Sequence, residues 1–283
     1  MTIDDLVLPD GREVPGCIGG DALYAALAAR MWEPTTEMVA PVGRDFPPSI
    51  LAEMSAAGLS DRGLPRRDLP TLHNRVAYCD NGDRTWTLFS SDADFDALSP
   101  IPEDIPEAYR AAEAFLVLAM TLPAQERLVA HLKATTRALV ALDPQEDYIA
   151  GNEAALRRLI AKVDLFMPSA EEVRRLLGHE DWAVAAATFA ALGPETVVIK
   201  LGAEGCLVHH RGKTFHEPAT PAAVRDTTGA GDCFCGAFAA SLVSNGFDLT
   251  RAARHGTQGA SLAITDYGVA NMLRTAVAMN RGG

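Results

Sequence analysis

Two aspartates bracket a short run of small residues near the carboxyl end of the chain. The run reads Asp226-Thr-Thr-Gly-Ala-Gly-Asp232 and leads directly into a segment with an apolar stripe at helical spacing. Small residues at the start of a helix let backbone N–H groups approach an anion closely, and the helix dipole adds to the attraction. The same dipole favours the ionised form of Asp232, which is then placed to accept a proton from an attacking hydroxyl. The stripe comprises Phe234, Ala237, Phe238, Ser241 and Leu242.

A structural interpretation competes with this chemical one, because an aspartate at the start of a helix often does no more than cap it. The two neighbouring glycines and the second carboxylate at Asp226 favour chemistry. A rival anion site, Arg211-Gly-Lys-Thr214, resembles the end of a phosphate-binding loop. It lacks the required first glycine, since position 207 is Leu207, and its surroundings indicate a hairpin rather than a strand that enters a helix.

The elements that must position the Asp226 to Asp232 run are predicted by short apolar runs that alternate with longer amphipathic segments from residue 115 onward. The predicted strands are 115–118, 139–142, 164–167 and 197–199. The predicted helices are 123–138, 152–162, 170–177, 229–243 and 249–263. The first has a proline in its opening turn and the second an asparagine cap. This alternation predicts an α/β fold, a doubly wound and mostly parallel sheet with helices on both faces.

A different pattern covers the segment from about 71 to 95. Two runs rich in aromatic and β-branched residues, 75–79 and 84–89, flank Asp80-Asn-Gly-Asp83, which is a strong signal for a hairpin turn. The segment predicts a small β lid outside the main sheet. Further strands are expected between 197 and 215, and the whole of 1–283 is predicted to form one domain that carries this lid.

Composition narrows the possible partners of the chain. It has 283 residues, 48% of them hydrophobic, and a formal net charge of −12, so no basic field favours nucleic acid or an anionic membrane surface. A small-molecule ligand fits this charge better. The five cysteines are odd in number and form no Cys-x-x-Cys pair, and we find no secretory or membrane-spanning pattern. We therefore expect reduced thiols and a cytoplasmic location.

The motifs together resemble the PfkB/ribokinase family of carbohydrate and nucleoside kinases. The run from Asp226 to Asp232 matches the family signature Asp-Thr-x-Gly-Ala-Gly-Asp at every fixed position. Four other patterns are similar to the family in the same order along nearly the whole chain. They are the pair Gly19-Gly20 before an alanine-rich segment, Pro41-Val-Gly-Arg-Asp45, Ser169-Ala-Glu-Glu172 and Lys200-Leu-Gly-Ala-Glu-Gly205.

The resemblance implies a ribokinase-like fold and residues for each part of the reaction. Asp232 would be the catalytic base, with the amides of Gly229, Ala230 and Gly231 as the anion hole for the transferred phosphoryl group. Asp4 would bind a substrate hydroxyl, with Asp5 as a rival one residue away. The same pocket would be lined by Gly19, Gly20 and Tyr24. The nucleotide side would comprise Lys200, Gly202, Gly205, Thr228 and Thr257. Glu172 would act on the magnesium side, and Asp226 lies where some family members bind a monovalent cation.

Three departures from the family pattern affect these expectations. Ser169 replaces the usual asparagine, which weakens one contact on the magnesium or phosphate side. Tyr24 stands where the family often has an asparagine and offers an aromatic face in place of a polar contact. The chain also begins where the family's first strand should be mostly complete, so we expect the main sheet to lack most of a strand unless its start lies upstream or another element rebuilds this edge.

The resemblance as a whole implies an ATP- and Mg²⁺-dependent kinase that phosphorylates a hydroxyl of a sugar or related small polyol. A nucleoside kinase is the alternative, favoured if the Tyr24 ring stacks on a base. A non-catalytic binding protein of the same fold is a third possibility, against which the intact Asp232 and its glycines argue. A homodimer that pairs through the lid is a further possibility.

Overall fold

The computed structural model describes residues 1–79 and 84–282. Its strands, in chain order, are β1 (Thr2–Val7), β2 (Glu13–Gly19), β3 (Val42–Gly43), β4 (Arg66–Arg67), β5 (Leu72–Tyr78), β6 (Arg84–Leu88), β7 (Ala114–Val117), β8 (Leu139–Leu142), β9 (Leu165–Phe166), β10 (Thr196–Lys200), β11 (Cys206–His210) and β12 (Lys213–Glu217). Its α-helices are α1 (Asp21–Ala29), α2 (Pro48–Ala56), α3 (Asp92–Ala97), α4 (Leu122–Thr135), α5 (Glu153–Ile160), α6 (Ala170–Leu177), α7 (Trp182–Ala190), α8 (Ala230–Ser244), α9 (Leu249–Ala263) and α10 (Ala270–Gly282).

The main sheet has the strand order β12-β11-β10-β9-β8-β7. Strands β7 to β10 are parallel, as the sequence predicts, and β10, β11 and β12 form an antiparallel meander. The tight turn between β11 and β12 contains Arg211 and Gly212, both at positive φ. The Arg211 to Thr214 run is therefore part of a hairpin, which confirms the reason for rejecting it as a phosphate-binding loop.

Helices cover both faces of the main sheet. Successive residues of its central strands point to opposite faces, and both sets are buried. In β10, Val197 and Ile199 belong to the core shared with α4, α5, α6 and α7, whereas Val198 belongs to the core shared with α8 and α9. The doubly wound architecture predicted from the sequence is confirmed. Helix α8 lies between two layers, since Cys233 and Ala237 pack in a third core with α1, α2 and α10.

A smaller sheet has the order β2-β1-β5-β6. Strands β5 and β6 pair antiparallel, as the hairpin signal predicts, but the turn itself, 80–83, lies outside the described residues. The sheet takes its other two strands from residues 2–19, which the sequence analysis did not assign to it. The Asp4 position therefore lies in this sheet, beside β5, and not in the main sheet.

The two faces of the smaller sheet differ in chemistry. We call the face that carries Asp4, Leu6, Asn74, Val76 and Tyr78 the inner face, since Leu6, Val76 and Tyr78 are packed in a core with Tyr267. The opposite, outer face carries ion pairs, between His73 and Asp5 and between Arg75 and Glu13. Because residues paired in register share a face, Leu88 opposite Asn74 and Trp86 opposite Val76 also belong to the inner face.

The helices begin and end close to the predicted residues, and their caps show why. Helix α6 begins at a capping box between Ser169 and Glu172 and ends at Gly178 in the left-handed conformation. The predicted Asn152 cap is in place before α5, but its side chain makes no capping hydrogen bond, which corrects that detail. In the described ranges, no helix is long and apolar enough to cross a membrane.

Candidate active site

Polar side chains converge at the carboxyl ends of three adjacent strands of the main sheet. Asp143 follows β8, Ser169 and Glu172 open α6 after β9, and Lys200 is the last residue of β10. Backbone contacts fix this edge, since Lys200 N donates to Pro168 O at 2.8 Å and Asp143 N donates to Val117 O at 2.9 Å. Ligands of open α/β sheets bind outside this edge, so the topology places the candidate site here.

Lys200 and Asp143 form an ion pair with side chains only 12% and 9% exposed. The Lys200 ammonium donates to Asp143 Oδ1 at 2.6 Å and to Oδ2 at 2.5 Å, and it also contacts Cys235 Sγ at 3.5 Å. Desolvation is the largest single influence and works to lower the pKa of Lys200, but the acidic groups around it, Asp143 foremost, together outweigh desolvation and the pKa is raised. Lys200 is therefore held as a cation at the site.

The Asp226 to Asp232 run forms the loop and first turn that precede and open α8. Asp226 is buried, and its carboxylate accepts hydrogen bonds from Thr228 N at 2.8 Å, Tyr78 Oη at 2.7 Å and Gly268 N at 2.9 Å. Gly229 has φ 72, and a Cβ there would lie 2.3 Å from the Tyr24 ring. A residue with a side chain would be excluded at position 229 on both grounds.

The first turn of α8 is open on the side of Gly231. A Cβ on Gly231 would meet only the end of the Lys200 side chain, 3.5 Å from Nζ. Thr228 Oγ1 is buried and finds no hydrogen-bond partner among residues 1–79 and 84–282. A buried hydroxyl without a partner at the start of a helix is an arrangement that a phosphate oxygen would complete.

Asp232 lies in this same first turn, but its electrostatics differ from the sequence expectation. Desolvation raises the pKa of Asp232 well above its ordinary value, and the carboxylates of Asp21 and Asp143 raise it further, while Lys200 opposes them. Desolvation and like charge therefore work against the helix dipole, which by itself favours the ionised form of Asp232. A carboxyl with a raised pKa is better matched to accept a proton near neutral pH.

Glu172 is buried at the start of α6, and its Oε2 accepts a hydrogen bond from Ser169 N at 2.6 Å. Desolvation first, and the Asp143 carboxylate second, raise the pKa of Glu172 to about 7. Ser169, which departs from the family pattern, caps α6, since its Oγ accepts from Glu172 N at 3.2 Å. The carboxylate of Glu172 remains a suitable magnesium-side ligand, because Mg²⁺ in kinases is usually held by one or two carboxylates together with phosphates.

Asp4 and Asn74 form a polar pair on the inner face of the smaller sheet. Asn74 Nδ2 donates to Asp4 Oδ1 at 3.0 Å, and a Cβ on Gly19 would lie 2.0 Å from Asp4 Oδ2, so only glycine leaves room for this carboxylate. Gly20, at φ 110, then turns the chain into α1. The rival Asp5 points to the outer face, where it accepts from Gly16 N and pairs with His73. The structure thus brings Asp4, and not Asp5, to the inner face.

The ring of Tyr24 is buried, whereas the sequence analysis expected it to offer an aromatic face to the acceptor. Its side chain is 2% exposed and packs against Gly229, while its carbonyl accepts from Cys233 Sγ at 3.3 Å. The ring packs against Gly229 in the core shared by α1 and α8. The assignment of Tyr24 to the acceptor pocket stays a prediction.

The residues expected around the nucleotide lie near the β10–β11 turn and on α9. Gly205 has φ 95, and a Cβ there would lie 2.1 Å from Glu217 O, so backbone packing explains this glycine. Gly202, at φ 58, has open space around it. Thr257 is buried on α9, where its hydroxyl contacts Thr220 Oγ1 at 3.0 Å and donates to Arg254 O. Their role in nucleotide binding stays a prediction.

Sequence reasoning missed Asp143, Asp21, Asn74 and Tyr78. Asp143 carried a usable signal, because it is the polar residue directly after a predicted strand of a parallel sheet. The others depend on contacts between segments far apart in the chain, such as the pairing of β1 with β5. The five cysteines are all unpaired, as predicted.

Comparison with known proteins identifies relatives of this chain. A model of the pfkB family of carbohydrate kinases matches residues 11–276. A cytidine kinase of Thermococcus kodakarensis is 30% identical over 274 residues, which cover 95% of each chain. A putative ribokinase II from E. coli, solved in complex with ATP and Mg²⁺, has a TM-score of 0.79 at 23% identity over 99% of this chain and 96% of its own. A Burkholderia thailandensis nucleoside kinase in complex with inosine has a TM-score of 0.79 at 19% identity, over 99% and 95%.

Proposed function

The chain belongs to the pfkB family of carbohydrate kinases, and on that premise we propose that Asp232 is the general base in phosphoryl transfer from ATP to a hydroxyl of a sugar or related small polyol. The observation that supports this role is the placement of Asp232 in the first turn of α8, directly after the open face at Gly231 and within the electrostatic influence of Lys200. A base, helix amides and a cation are the parts that phosphoryl transfer requires.

The reaction follows from these positions. The acceptor hydroxyl gives its proton to the Asp232 carboxylate as its oxygen bonds to the γ-phosphorus, and the bond to the bridging oxygen breaks with its electron pair leaving on ADP. The amides of Gly229, Ala230 and Gly231 face the transferred group, and Thr228 Oγ1 donates to a phosphate oxygen. Mg²⁺, when bound on the side of Glu172, supplies charge neutralisation. Catalysis is then mainly orientation and electrostatic stabilisation.

Asp4 and Asn74 bind a hydroxyl of the acceptor from the inner face of the smaller sheet, which acts as a lid that excludes water. Gly202, Gly205 and Thr257 lie on the nucleotide side. This placement and a small-molecule acceptor fit a cytoplasmic enzyme. The exposed edge of β6 is where a second subunit would pair in a homodimer. Asp226 already accepts three protein hydrogen bonds, so a monovalent cation there would have to share them.

Replacement of Asp232 by asparagine tests the base. The variant keeps the shape and removes the proton acceptor, so we expect turnover to fall by about 100-fold or more. The dissociation constant of Mg-ATP and the thermal unfolding temperature should change little, which separates lost chemistry from lost structure. Turnover near that of the unchanged enzyme would overturn the assignment.

A nucleoside acceptor is the second candidate, and one observation favours it. Trp86 and Leu88 are 41% and 66% exposed, and by register they share the inner face with Asp4 and Asn74. Leu88 lies two strands from Asp4 in one row, roughly 10 Å away, so a ribose on Asp4 would bring its base toward this apolar edge. The similarity to a cytidine kinase over most of both chains supports the same acceptor class.

A panel of ribose, fructose, 2-keto-3-deoxygluconate, adenosine and cytidine separates the two acceptor classes. If a nucleoside is the acceptor, Trp86→Ala should raise its KM by about tenfold or more through lost stacking and leave the KM of ATP unchanged. Thr87→Ala, on the outer face of the same strand, is the matched control. A sugar that is phosphorylated equally well by Trp86→Ala and by the unchanged enzyme would favour the polyol class.

A further inference from the structure

The ion pair between Lys200 and Asp143 stands directly at the turn where the phosphoryl group would bind. A Cβ on Gly231 would be 3.5 Å from Lys200 Nζ, and Cys235, one turn further along α8, is 3.5 Å from the same atom. Lys200 thus faces the side of α8 that begins with the open turn. No side chain of that turn separates the ammonium from the space beside Gly231.

A buried ion pair of this kind is not explained by stability. Two charges lose most of their hydration on burial, and apolar residues of similar volume are often as stabilising. The surroundings add a reason to keep the cation, because Asp21, Asp143, Glu172 and Asp232 interact electrostatically with one another at this site. Lys200 acts electrostatically on all four of these carboxyl groups, and the Met1 ammonium also acts on Asp21.

The hydrogen bonds of Lys200 leave one position for a ligand. An ammonium has three donors, and Asp143 takes up two of them through both carboxylate oxygens. The remaining contact, to Cys235 Sγ, is to a weak acceptor, and desolvation raises the pKa of Cys235 so that it stays a thiol. A phosphoryl oxygen is a far stronger acceptor for a charged donor.

We propose that Lys200 is a catalytic residue that exchanges its contact with Cys235 for one to an oxygen of the γ-phosphoryl group, and that Asp143 is the positioning residue that aims it. The proposal rests on the proposed function, because it takes this cleft as the Mg-ATP site. It assigns Lys200 to the transferred group and not to the adenosine side of the nucleotide. Lys200 then stabilises the charge on the phosphoryl oxygens as the bond to ADP breaks.

The test compares the affinities of the enzyme for the β,γ-methylene analogue of ATP and for ADP, both with Mg²⁺ and without acceptor. In Lys200→Met with Asp143→Asn, which removes both charges and leaves none unpaired between them, we expect the analogue to bind about 10- to 100-fold more weakly. ADP affinity should stay within about threefold, and kcat should fall by about 100-fold or more. Asp143→Asn alone should lower kcat with a smaller change in the ratio of the two affinities.

Lys133→Met is the matched control, because Lys133 forms a 2.8 Å ion pair with Asp164 in an exposed position away from the carboxyl edge. Parallel loss of analogue and ADP affinity would place Lys200 on the adenosine side and overturn the proposal. An unchanged affinity ratio with a lowered unfolding temperature would make the pair structural, which also overturns it. Since the binding measurements need no acceptor, a normal turnover of Asp232→Asn would sink the general base while leaving the Lys200 result to be judged by itself.

Discussion

The hydroxyl of Tyr78 donates a 2.7 Å hydrogen bond to Asp226 Oδ2, across 148 residues of sequence. Tyr78 is the last residue of β5 in the smaller sheet, and Asp226 opens the loop that leads into α8. The same Asp226 oxygen accepts from Gly268 N, just before α10. One buried carboxylate therefore joins the smaller sheet, the loop before α8 and the segment that precedes the C-terminal helix.

Replacement of Tyr78 by phenylalanine should remove the hydrogen bond to Asp226 and keep the packing of the ring in the core. Asp226 keeps its two backbone donors and loses one, and an under-satisfied buried carboxylate costs about 1–3 kcal/mol. We expect the free energy of unfolding in urea to fall by that amount and kcat to fall with it, because the loop that carries Thr228 and Gly229 is less well held. Tyr267→Phe, which removes a hydroxyl from the ring packed against Tyr78, is the control. Equal effects of the two variants would deny the Tyr78 bond a special role.

The carboxylate of Asp21 should set part of the pH dependence of the reaction. Desolvation raises the pKa of Asp232 most, and the negative charge of Asp21 is the next largest cause. A base with a raised pKa is lost to protonation as the pH falls through that value, so activity declines on the acid side. Asp21→Asn lowers the pKa of Asp232 and should move the acid limb of kcat/KM to lower pH. The profile is measured with the acceptor below its KM, and Asp5→Asn, on the outer face of the smaller sheet, should leave the limb in place.

Much of the fold is predictable from local sequence, because its signals are local. The buried run Leu139–Leu142 and the capped helices Ala170–Leu177 and Leu249–Ala263 have the bounds that the sequence predicts. The Asp226 to Asp232 motif also indicates its own structure, since glycine at a positive φ and small residues at a helix start leave few alternatives. These elements suffice to predict the doubly wound sheet and the location of Asp232.

The rest of the site depends on contacts that no local pattern encodes. The pairing of β1 with β5 sets Asp4 beside Asn74, and the packing of α1 on α8 sets the Tyr24 ring against Gly229. Tyr24, the aromatic residue that the sequence suggested as a stacking partner for a nucleobase, is therefore in the core. Trp86, in contrast, lies exposed on the inner face. The electrostatics are likewise collective, because the pKa of Asp232 is set by desolvation and by carboxylates from other segments.

The buried Glu172 should make the protein less stable as the pH rises. Its folded pKa of about 7 exceeds the unfolded value of about 4.3, so the folded state binds more protons between these values and stability falls through that window. The side chain of Glu172→Gln does not ionise as the pH rises. The free energy of unfolding of the variant, relative to that of the unchanged protein, should therefore grow from pH 4.5 to pH 7. Urea unfolding at several pH values without Mg²⁺ measures this. Glu171→Gln, at the exposed neighbouring position, should not show the trend.

The magnesium dependence of activity is the companion measurement for Glu172. If its carboxylate acts on the magnesium side, Glu172→Gln should raise the Mg²⁺ concentration needed for half-maximal activity at saturating ATP. Ser169 keeps its capping role with glutamine, which also accepts a hydrogen bond at this position. An unchanged magnesium titration would count against Glu172, whatever the stability data show.

Gly229 and Gly231, the two glycines of the Asp226 to Asp232 run, should respond to alanine in opposite ways. Gly229→Ala forces a side chain into a left-handed conformation and against the Tyr24 ring, 2.3 Å from its Cβ, so we expect a loss of several kcal/mol of stability. Gly231 is in the first turn of α8, where the added Cβ meets only Lys200 Nζ at 3.5 Å. Alanine there should leave stability unchanged or raise it by up to about 1 kcal/mol, because it favours the helix.

The activities of the same two variants should show the opposite order. Gly231→Ala should lose activity although it is stable, and Gly229→Ala should keep much of its activity when it is folded. The methyl group of Gly231→Ala occupies the space between the helix amides and Lys200, so turnover should fall by about tenfold or more in a fully folded enzyme. Gly229→Ala should recover much of its activity per folded molecule at low temperature, where the folded population is restored. Unfolding in urea and active-site titration with the ATP analogue measure the two quantities independently. Full turnover in a stable Gly231→Ala would show that the phosphoryl group does not bind against this turn.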